Sequence, residues 1–374
     1  MPRSTHSVRP ATTKSDGTRN AHSLQSNSEF YLVYPGDLDT RTGGYTYDKR
    51  LIEELGQLGL RINPVSLPQC SPDMSQGARL MVQEKLVAIP EGSVVVIDGL
   101  ALGVLDRETT EVRQRLRLVA LCHHPLALES GLNSAEQSQL FESERRALAN
   151  VHATLVTSES TRRILTDDFG VCEDSITVAV PGTDRRPFAE CTGSPPRLLT
   201  VGSLTRRKAH DVLISALADV AALDWEARFV GGDHFDAKWA QRLRAQVAAE
   251  NLEHRIQFAG LVPDVEPEYQ QADVFILPSR FEGYGMVFAE ALSAGLPVIA
   301  AKTGAVPDLV PGTAGLLVVP DDPEALAGVI HKLLTTAGLR QQLQQGARAC
   351  AAELPTWRDS AEKVCRRLRE VSQA

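Results

Sequence analysis

The 374-residue sequence has no long apolar run. The longest are five residues, Phe30–Tyr34 and Leu118–Cys122. A membrane-spanning helix needs about 20, so none is expected. Cations are in deficit: 39 Lys and Arg stand against 47 Asp and Glu, a net charge of −8. A chain without a basic excess is a poor coat for phosphate backbones, and no nucleic-acid partner is expected. Aromatic residues reach only 5%. The six cysteines (Cys70, Cys122, Cys172, Cys191, Cys350 and Cys365) form no CxxC pair and no zinc-ligand spacing with a histidine. Scattered thiols of this kind fit a reduced, cytoplasmic compartment.

What is present is ordinary globular composition, 43% apolar and 23% charged. At roughly 150 residues per domain, the length suggests two to three domains. Residues 1–28 are rich in Ser, Thr, Asn and Arg and lack an apolar segment, which reads as a disordered tail rather than a secretory signal. Beyond it, short apolar runs alternate with helical patterns. Strands are expected at Phe30–Tyr34, Val94–Ile97, Leu118–Cys122 and Thr154–Thr157. Continuous apolar runs suit parallel strands covered on both faces. Ala189–Pro196, with Gly193, Ser194 and two prolines, reads as a linker. The pattern then restarts with strands at Arg197–Val201, Ala227–Val230, Ile256–Ala259, Val274–Leu277, Val298–Ala301 and Leu316–Val319, and a helix at Asp211–Leu223. Near the end, Ala361, Val364, Leu368 and Val371 mark one apolar stripe. The expected organisation is a first α/β domain over 29–188, a linker over 189–196, a second α/β domain over 197–354, and a final helix in 355–374 that returns to the first. Two parallel sheets facing each other place a cleft at their carboxyl ends.

The strongest motif lies within Val274–Ala301. A buried strand runs into a loop holding Glu282, Gly283, Tyr284 and Gly285, and a helix starts at about Met286 with Glu290 two turns on. Glycines allow close backbone approach to an anion, and a helix start favours negative charge. A carboxylate is a natural acceptor for a pair of sugar hydroxyls. The string E-G-Y-G-x4-E-A-L-S-A-G-L-P-V-I resembles the E-G-F-G-x4-E-A-x-A-x-G-x-P-V-V signature of retaining family 4 glycosyltransferases (glycosyl transferases group 1). Their GT-B fold pairs two Rossmann-like, doubly wound parallel-sheet domains across a cleft.

Other segments resemble the same family in order. Leu199–Leu213 (LTVGSLTRRKAHDVL) parallels V-G-x-L-x-x-R-K-G-x-D-x-L. The resemblance places Arg207 and Lys208 on a donor diphosphate. Ser203 stands where many members have Arg, and Ala209 where they have Gly, so Arg206 remains an alternative source of the guanidinium. Thr42-Gly43-Gly44 follows the first strand, where the family brings its first domain close to the donor phosphates. Leu118–Leu126 (LVALCHHPL) puts His123, with His124 as second choice, beside the reacting sugar. Leu261 and Val262 fall where backbone atoms bind the base, and Thr303–Val310 (TGAVPDLV) resembles a G-G-x-P-E-x-V turn.

The resemblance implies retaining transfer of a hexose or similar sugar from a nucleotide-diphosphate sugar, with UDP and GDP as first expectations. Arg207, Lys208, the amides of Gly285, Met286 and Val287, and the helix dipole would stabilise the leaving diphosphate. Glu290 would hold the ribose, Glu282 the donor sugar, and His123 would orient that sugar. No cofactor and no metal are expected. Asp37-Leu38-Asp39 is a literal DxD, but it follows the first strand, too early for the metal motif of the other glycosyltransferase fold. The acceptor, a glycan, lipid or small molecule, is unspecified, as is the oligomeric state. Arg113, Arg115 and Arg117 within Thr110–Leu118 read as a short helix with a solvated face, and peripheral contact with the inner face of a membrane is left open. Two other readings share the architecture: a nucleotide-sugar 2-epimerase, which needs no acceptor, and a non-catalytic sugar-binding protein, which should show aromatic platforms.

Overall fold

The structure is a computed structural model describing residues 29–129 and 131–374. The expected tail, 1–28, lies outside them. Twelve strands form two parallel six-stranded sheets among the described residues. The first holds β1 (Phe30–Pro35), β2 (Ile62–Leu67), β3 (Val94–Asp98), β4 (Arg117–Cys122), β5 (Ala153–Val156) and β6 (Ile176–Val178), in the order β2-β1-β3-β4-β5-β6. The second holds β7 (Arg197–Val201), β8 (Glu226–Val230), β9 (Ile256–Gly260), β10 (Val274–Leu277), β11 (Val298–Ala301) and β12 (Gly315–Val318), in the order β12-β11-β10-β7-β8-β9. The order reverses between β1 and β3 in one sheet and between β7 and β10 in the other. Ligands of open α/β sheets bind beyond the carboxyl ends of strands at such switch points.

The central strands β3, β5, β10 and β11 are buried throughout, and β4 is buried beyond Arg117, as their largely apolar runs require. The sequence reading misses β2 and β6, and both are edges. β2 (INPVSL) carries Pro64, which cannot donate to a ladder and is tolerated at an edge. β6 has only three residues. Two helical expectations also need correcting. The helix after β7 covers His210–Asp219, not Asp211–Leu223. Thr110–Leu118 is not one helix, because helix Asp106–Val112 ends there and β4 begins at Arg117. Its arginines are spent on the fold: Arg113 bonds Asn150 (2.8 Å), Arg115 the Leu86 carbonyl (2.7 Å) and Arg117 that of Gly92 (2.7 Å). Among the described residues, no helix is long and apolar enough to cross a membrane.

The chain passes between the domains twice. The first passage covers 179–196. After helix Leu339–Glu353, the second leads into helix Trp357–Gln373, which buries Trp357, Ala361, Val364, Cys365, Leu368 and Val371 among β1, β3, β4 and helix Gly43–Gln57 of the first domain. A capping box on Thr356 and Asp359 starts this helix. The two passages touch, with the Thr183 amide donating to the Pro355 carbonyl at 2.9 Å. The helix is structurally part of the first domain, and truncating its apolar stripe should cost accordingly. Leu368→Ala is expected to lower stability by about 2–5 kcal/mol, read from urea unfolding; a loss below about 1 kcal/mol would remove the stripe from the core.

Candidate active site

The site forms where the loops after β7 and β10 meet those after β1, β3 and β4. From β7 the chain turns through Gly202 and Ser203 into a short 3-10 turn, Arg206–Lys208, and then into helix His210–Asp219. Ala209 joins them in the left-handed region at φ 51°. That conformation is the physical reason for a glycine in the family pattern, and alanine bears it here at a cost of about 1–2 kcal/mol. Arg280, in the loop after β10, ties the two loops together. Its amide donates to the Arg207 carbonyl (2.8 Å), and its guanidinium bridges Asp211 (2.8 Å) and Asp321 (2.7 Å).

These ties put three charged side chains together. Lys208 Nζ lies 2.7 Å from Glu282 Oε1, and Arg207 Nη1 lies 3.3 Å from Glu282 Oε2. Glu282 is 5% exposed. Burial alone would raise its pKa, but Lys208 and Arg207 outweigh it and bring the carboxyl down to about 2. Burial pushes the Lys208 ammonium below its usual value, with Glu282 opposing. Arg207 also donates to the Phe281 carbonyl and faces Glu129 across the cleft (3.4 Å). Arg206 turns away and stacks on Trp239, 4.5 Å from the ring centre. Ser203 stays in the turn, its carbonyl accepting from the Thr205 amide. Of the two adjacent arginines, Arg207 is the one that reaches the glutamate.

The two loop glycines serve different ends. Gly285 has φ 88° and starts helix Met286–Ser293. Gly283 lies so close to the first domain that a Cβ there would sit 2.0 Å from the His123 carbonyl oxygen. The turn Thr303–Val310 backs this loop: the Ala305 amide donates to the Glu282 carbonyl (3.0 Å). About one turn into the helix, Glu290 Oε2 accepts from the Tyr269 hydroxyl at 2.8 Å. Tyr269 also reaches the Val287 carbonyl (3.3 Å), and Tyr284 is buried beside the loop.

The first domain contributes the facing wall. Thr42 caps helix Gly43–Gln57. A Cβ on Gly43 would meet Met286 Sδ at 3.7 Å, and one on Gly44 would meet the His123 ring at 3.4 Å. The His123 Nε2 hydrogen-bonds Asp48 Oδ1 (3.1 Å) and lies 3.6 Å from Asp98 Oδ2. Its ring stands edge-on to Tyr47. Burial favours the neutral imidazole, but the two carboxylates prevail and raise its pKa. Burial and the Asp48 charge push Asp98 up to about 7. Asp48, Asp98 and His123 each offer one metal-ligand atom, all within 4.8 Å. His124 is different: burial holds it down to about 4, and it packs on Phe281 at 4.5 Å. Leu261 is exposed, and the Val262 carbonyl accepts from Arg41 of the first domain (2.6 Å). The Asp37 and Asp39 pair is exposed, and Asp39 pairs with Lys49 at 2.6 Å.

Sequence reasoning thus names most of the wall but misses Asp48, Asp98, Tyr269 and Arg186, which lies 3.9 Å from Glu290. Asp98 had a signal, since it ends the buried run of β3 as His123 follows that of β4. Tyr269 and Arg186 had none.

Two outcomes follow from this geometry. Gly283→Ala places a methyl where the His123 carbonyl is, so the domains should part; small-angle scattering should show a larger radius of gyration, and an unchanged curve would refute the contact. Glu282 titrates near 4.5 when unfolded and about 2 when folded, so its contribution is present above 4.5 and lost as pH falls toward 2. The stability gap between the native chain and Glu282→Gln, about 3 kcal/mol at neutral pH, should shrink in urea melts at pH 3. A gap independent of pH would show that Glu282 is not held ionised.

Residues 195–336 match the model for glycosyl transferases group 1. The D-inositol 3-phosphate glycosyltransferase of Corynebacterium diphtheriae is 28% identical over 272 residues, 66% of this chain and 64% of that protein. The lipopolysaccharide core biosynthesis mannosyltransferase LpcC of Rhizobium leguminosarum bv. viciae is 28% identical over 243 residues, 62% and 68% of the two chains. The alignments span about half to two thirds of the curated relatives, as with the mannosylfructose-phosphate synthase of Agrobacterium fabrum, covered over 49% of its length. Among solved structures, sucrose-phosphate synthase from Thermosynechococcus elongatus superposes with a TM-score of 0.75 at 21% identity, covering 91% of this chain and 99% of that one. Anabaena Alr3699/HepE in complex with UDP-glucose gives 0.74 at 18% identity, covering 91% and 100%. Residues 195–336 thus match the glycosyl transferases group 1 model, and the described chain has the GT-B fold of these solved structures.

Proposed function

We propose that this chain transfers a sugar from a nucleotide-diphosphate sugar to an acceptor hydroxyl, with retention at the anomeric carbon and without a metal ion. The observation that carries the reading is the Lys208–Glu282–Arg207 constellation at the switch point of the second sheet. A departing diphosphate gathers negative charge on its oxygens. Lys208 spends one of three N–H donors on Glu282, and the Arg207 fork retains further donors for those oxygens. The start of helix Met286–Ser293 adds backbone amides from Gly285 to Val287. Fixed donors of this kind stabilise the leaving group without rearranging at the moment of reaction.

In this reading, Glu290 accepts the ribose hydroxyl protons, with Tyr269 fixing its orientation. Glu282 accepts from hydroxyls of the donor sugar and sets the anomeric carbon against the acceptor. His123 sits across the cleft with its Nε2 anchored on Asp48 and Asp98, so its other nitrogen is the one presented to the sugar. The anomeric C–O bond breaks toward the diphosphate, the acceptor oxygen bonds the same face, and its proton passes to a diphosphate oxygen. Close packing of Gly283 on the first domain excludes water, which protects the donor from hydrolysis. The complex of the Anabaena neighbour with UDP-glucose supports a nucleotide-sugar donor, and UDP- and GDP-sugars are the first to test.

Incubating the chain with UDP-, GDP- and ADP-sugars, with and without acceptor pools and EDTA, tests the reading. Donor-dependent glycoside formation that persists in EDTA is expected. Formation of a 2-epimer from donor alone would replace the transferase reading with an epimerase. Lys208→Ala should reduce kcat by about 10²-fold or more, and undiminished turnover would remove its role. Glu290→Ala should weaken nucleoside diphosphate binding about tenfold or more in calorimetry; equal affinity would displace the ribose assignment.

A further inference from the structure

We infer that Arg186 is a donor-binding residue that donates to the ribose hydroxyl oxygens whose protons Glu290 accepts. The inference rests on the reading of Glu290 as the ribose carboxylate and extends it to a residue of the interdomain passage.

The Arg186 side chain is only 13% exposed, yet its donors are unused. Its Nε is buried without a hydrogen-bond partner. Nη1 stands 3.9 Å from Glu266 Oε2, and Nη2 stands 3.9 Å from Glu290 Oε2, both beyond hydrogen-bond reach. The guanidinium lies over the Tyr269 ring, 5.1 Å from its centre. A guanidinium carries five N–H donors, and burying them unbonded is costly. Arg50 and Arg348 nearby also leave Nε unpartnered, but each bonds through a terminal nitrogen, Arg50 to Asp184 (2.6 Å) and Arg348 to the Ala189 carbonyl (2.9 Å). Arg185 donates to the Ala352 carbonyl (2.9 Å), and Arg280 bridges Asp211 and Asp321.

The backbone around Arg186 is fixed, so the unused donors do not come from a loose loop. Asp184 pairs with Arg50 at 2.6 Å, and its carbonyl accepts from Ser293 at 2.7 Å. Tyr269 ties the two charged groups together, since its ring carries the guanidinium and its hydroxyl bonds Glu290 Oε2. Oε2 is therefore occupied, which leaves Oε1 for a ligand. The result is a carboxylate oxygen beside a fork of N–H groups, with a gap between them. A vicinal diol matches that pair: each hydroxyl gives its proton to the carboxylate and offers lone pairs to the fork. Burial raises the Glu290 pKa, and the Arg186 charge is the largest influence opposing that rise. An ionised Glu290 is the form that accepts from a diol.

The test is calorimetry with UDP, GDP and ADP, taking the tightest binder and its 2′-deoxy counterpart. The native chain should prefer the ribonucleotide by about tenfold or more. Arg186→Gln should lose about tenfold in ribonucleotide affinity while the 2′-deoxy affinity stays within about threefold, so the preference collapses. Arg186→Lys keeps a cation over Tyr269 and the fold with it, but a point charge lacks the fork, so the same collapse is expected. Equal losses for both nucleotides, or a preserved preference in both variants, would overturn the inference while leaving Glu290 in place. A native chain that binds both nucleotides equally would overturn the ribose assignment and this inference together. No nucleotide binding at all would overturn the donor reading itself.

Discussion

The structure turns on one buried carboxylate. Glu282 is a charge in a nearly dry place, and only Lys208 and Arg207 make that tolerable. Stranding one member of such a buried set costs about 3–5 kcal/mol. Much of the second domain serves to keep the three together. The switch between β7 and β10 brings two loops side by side, Arg280 pins them, and the Thr303–Val310 turn holds the Glu282 backbone from behind. The left-handed Ala209 sends the chain straight from Lys208 into a helix. The charges that would meet a diphosphate are therefore already oriented, and their pairing with Glu282 keeps them so.

The first domain answers with a different device. Its polar group at the cleft, His123, is anchored from below by two carboxylates rather than by a cation. The two walls thus carry opposite logic: a glutamate held by cations on one side, and a histidine whose pKa two carboxylates raise on the other. They meet through backbone, at Gly283 and the His123 carbonyl, and through ion pairs at the rim, where Arg163 of one domain finds Asp308 of the other at 3.0 Å.

Much of this was legible in the sequence, for a physical reason. Parallel strands buried on both faces must be continuously apolar, so Val274–Leu277 and Val298–Ala301 announce themselves with their bounds. Edges are free of that demand, which is why β2, with Asn63 and Pro64, reads as loop. The cleft residues named in advance lay in short strings: Arg207 with Lys208, Glu282 with Gly283, Gly285 and Glu290, Gly43 with Gly44, and His123 directly after β4. Asp48, Tyr269 and Arg186 join the site only through folding, from a helix interior, a short helix and an interdomain passage. No spacing connects them. The open choice between Arg206 and Arg207 also had to wait for tertiary contacts, because Trp239, which draws Arg206 outward, is 33 residues away.

The double passage between domains has a mechanical consequence. Because Thr183 and Pro355 hydrogen-bond where the chain goes out and comes back, the second domain hangs from the first by two strands side by side, not by a single tether. A single tether permits free rotation; a paired one behaves as a strap hinge, soft to bending about one line and stiff to twist. Any opening of the cleft would bend about that line, and closure would return Gly283 to the His123 carbonyl in the same register.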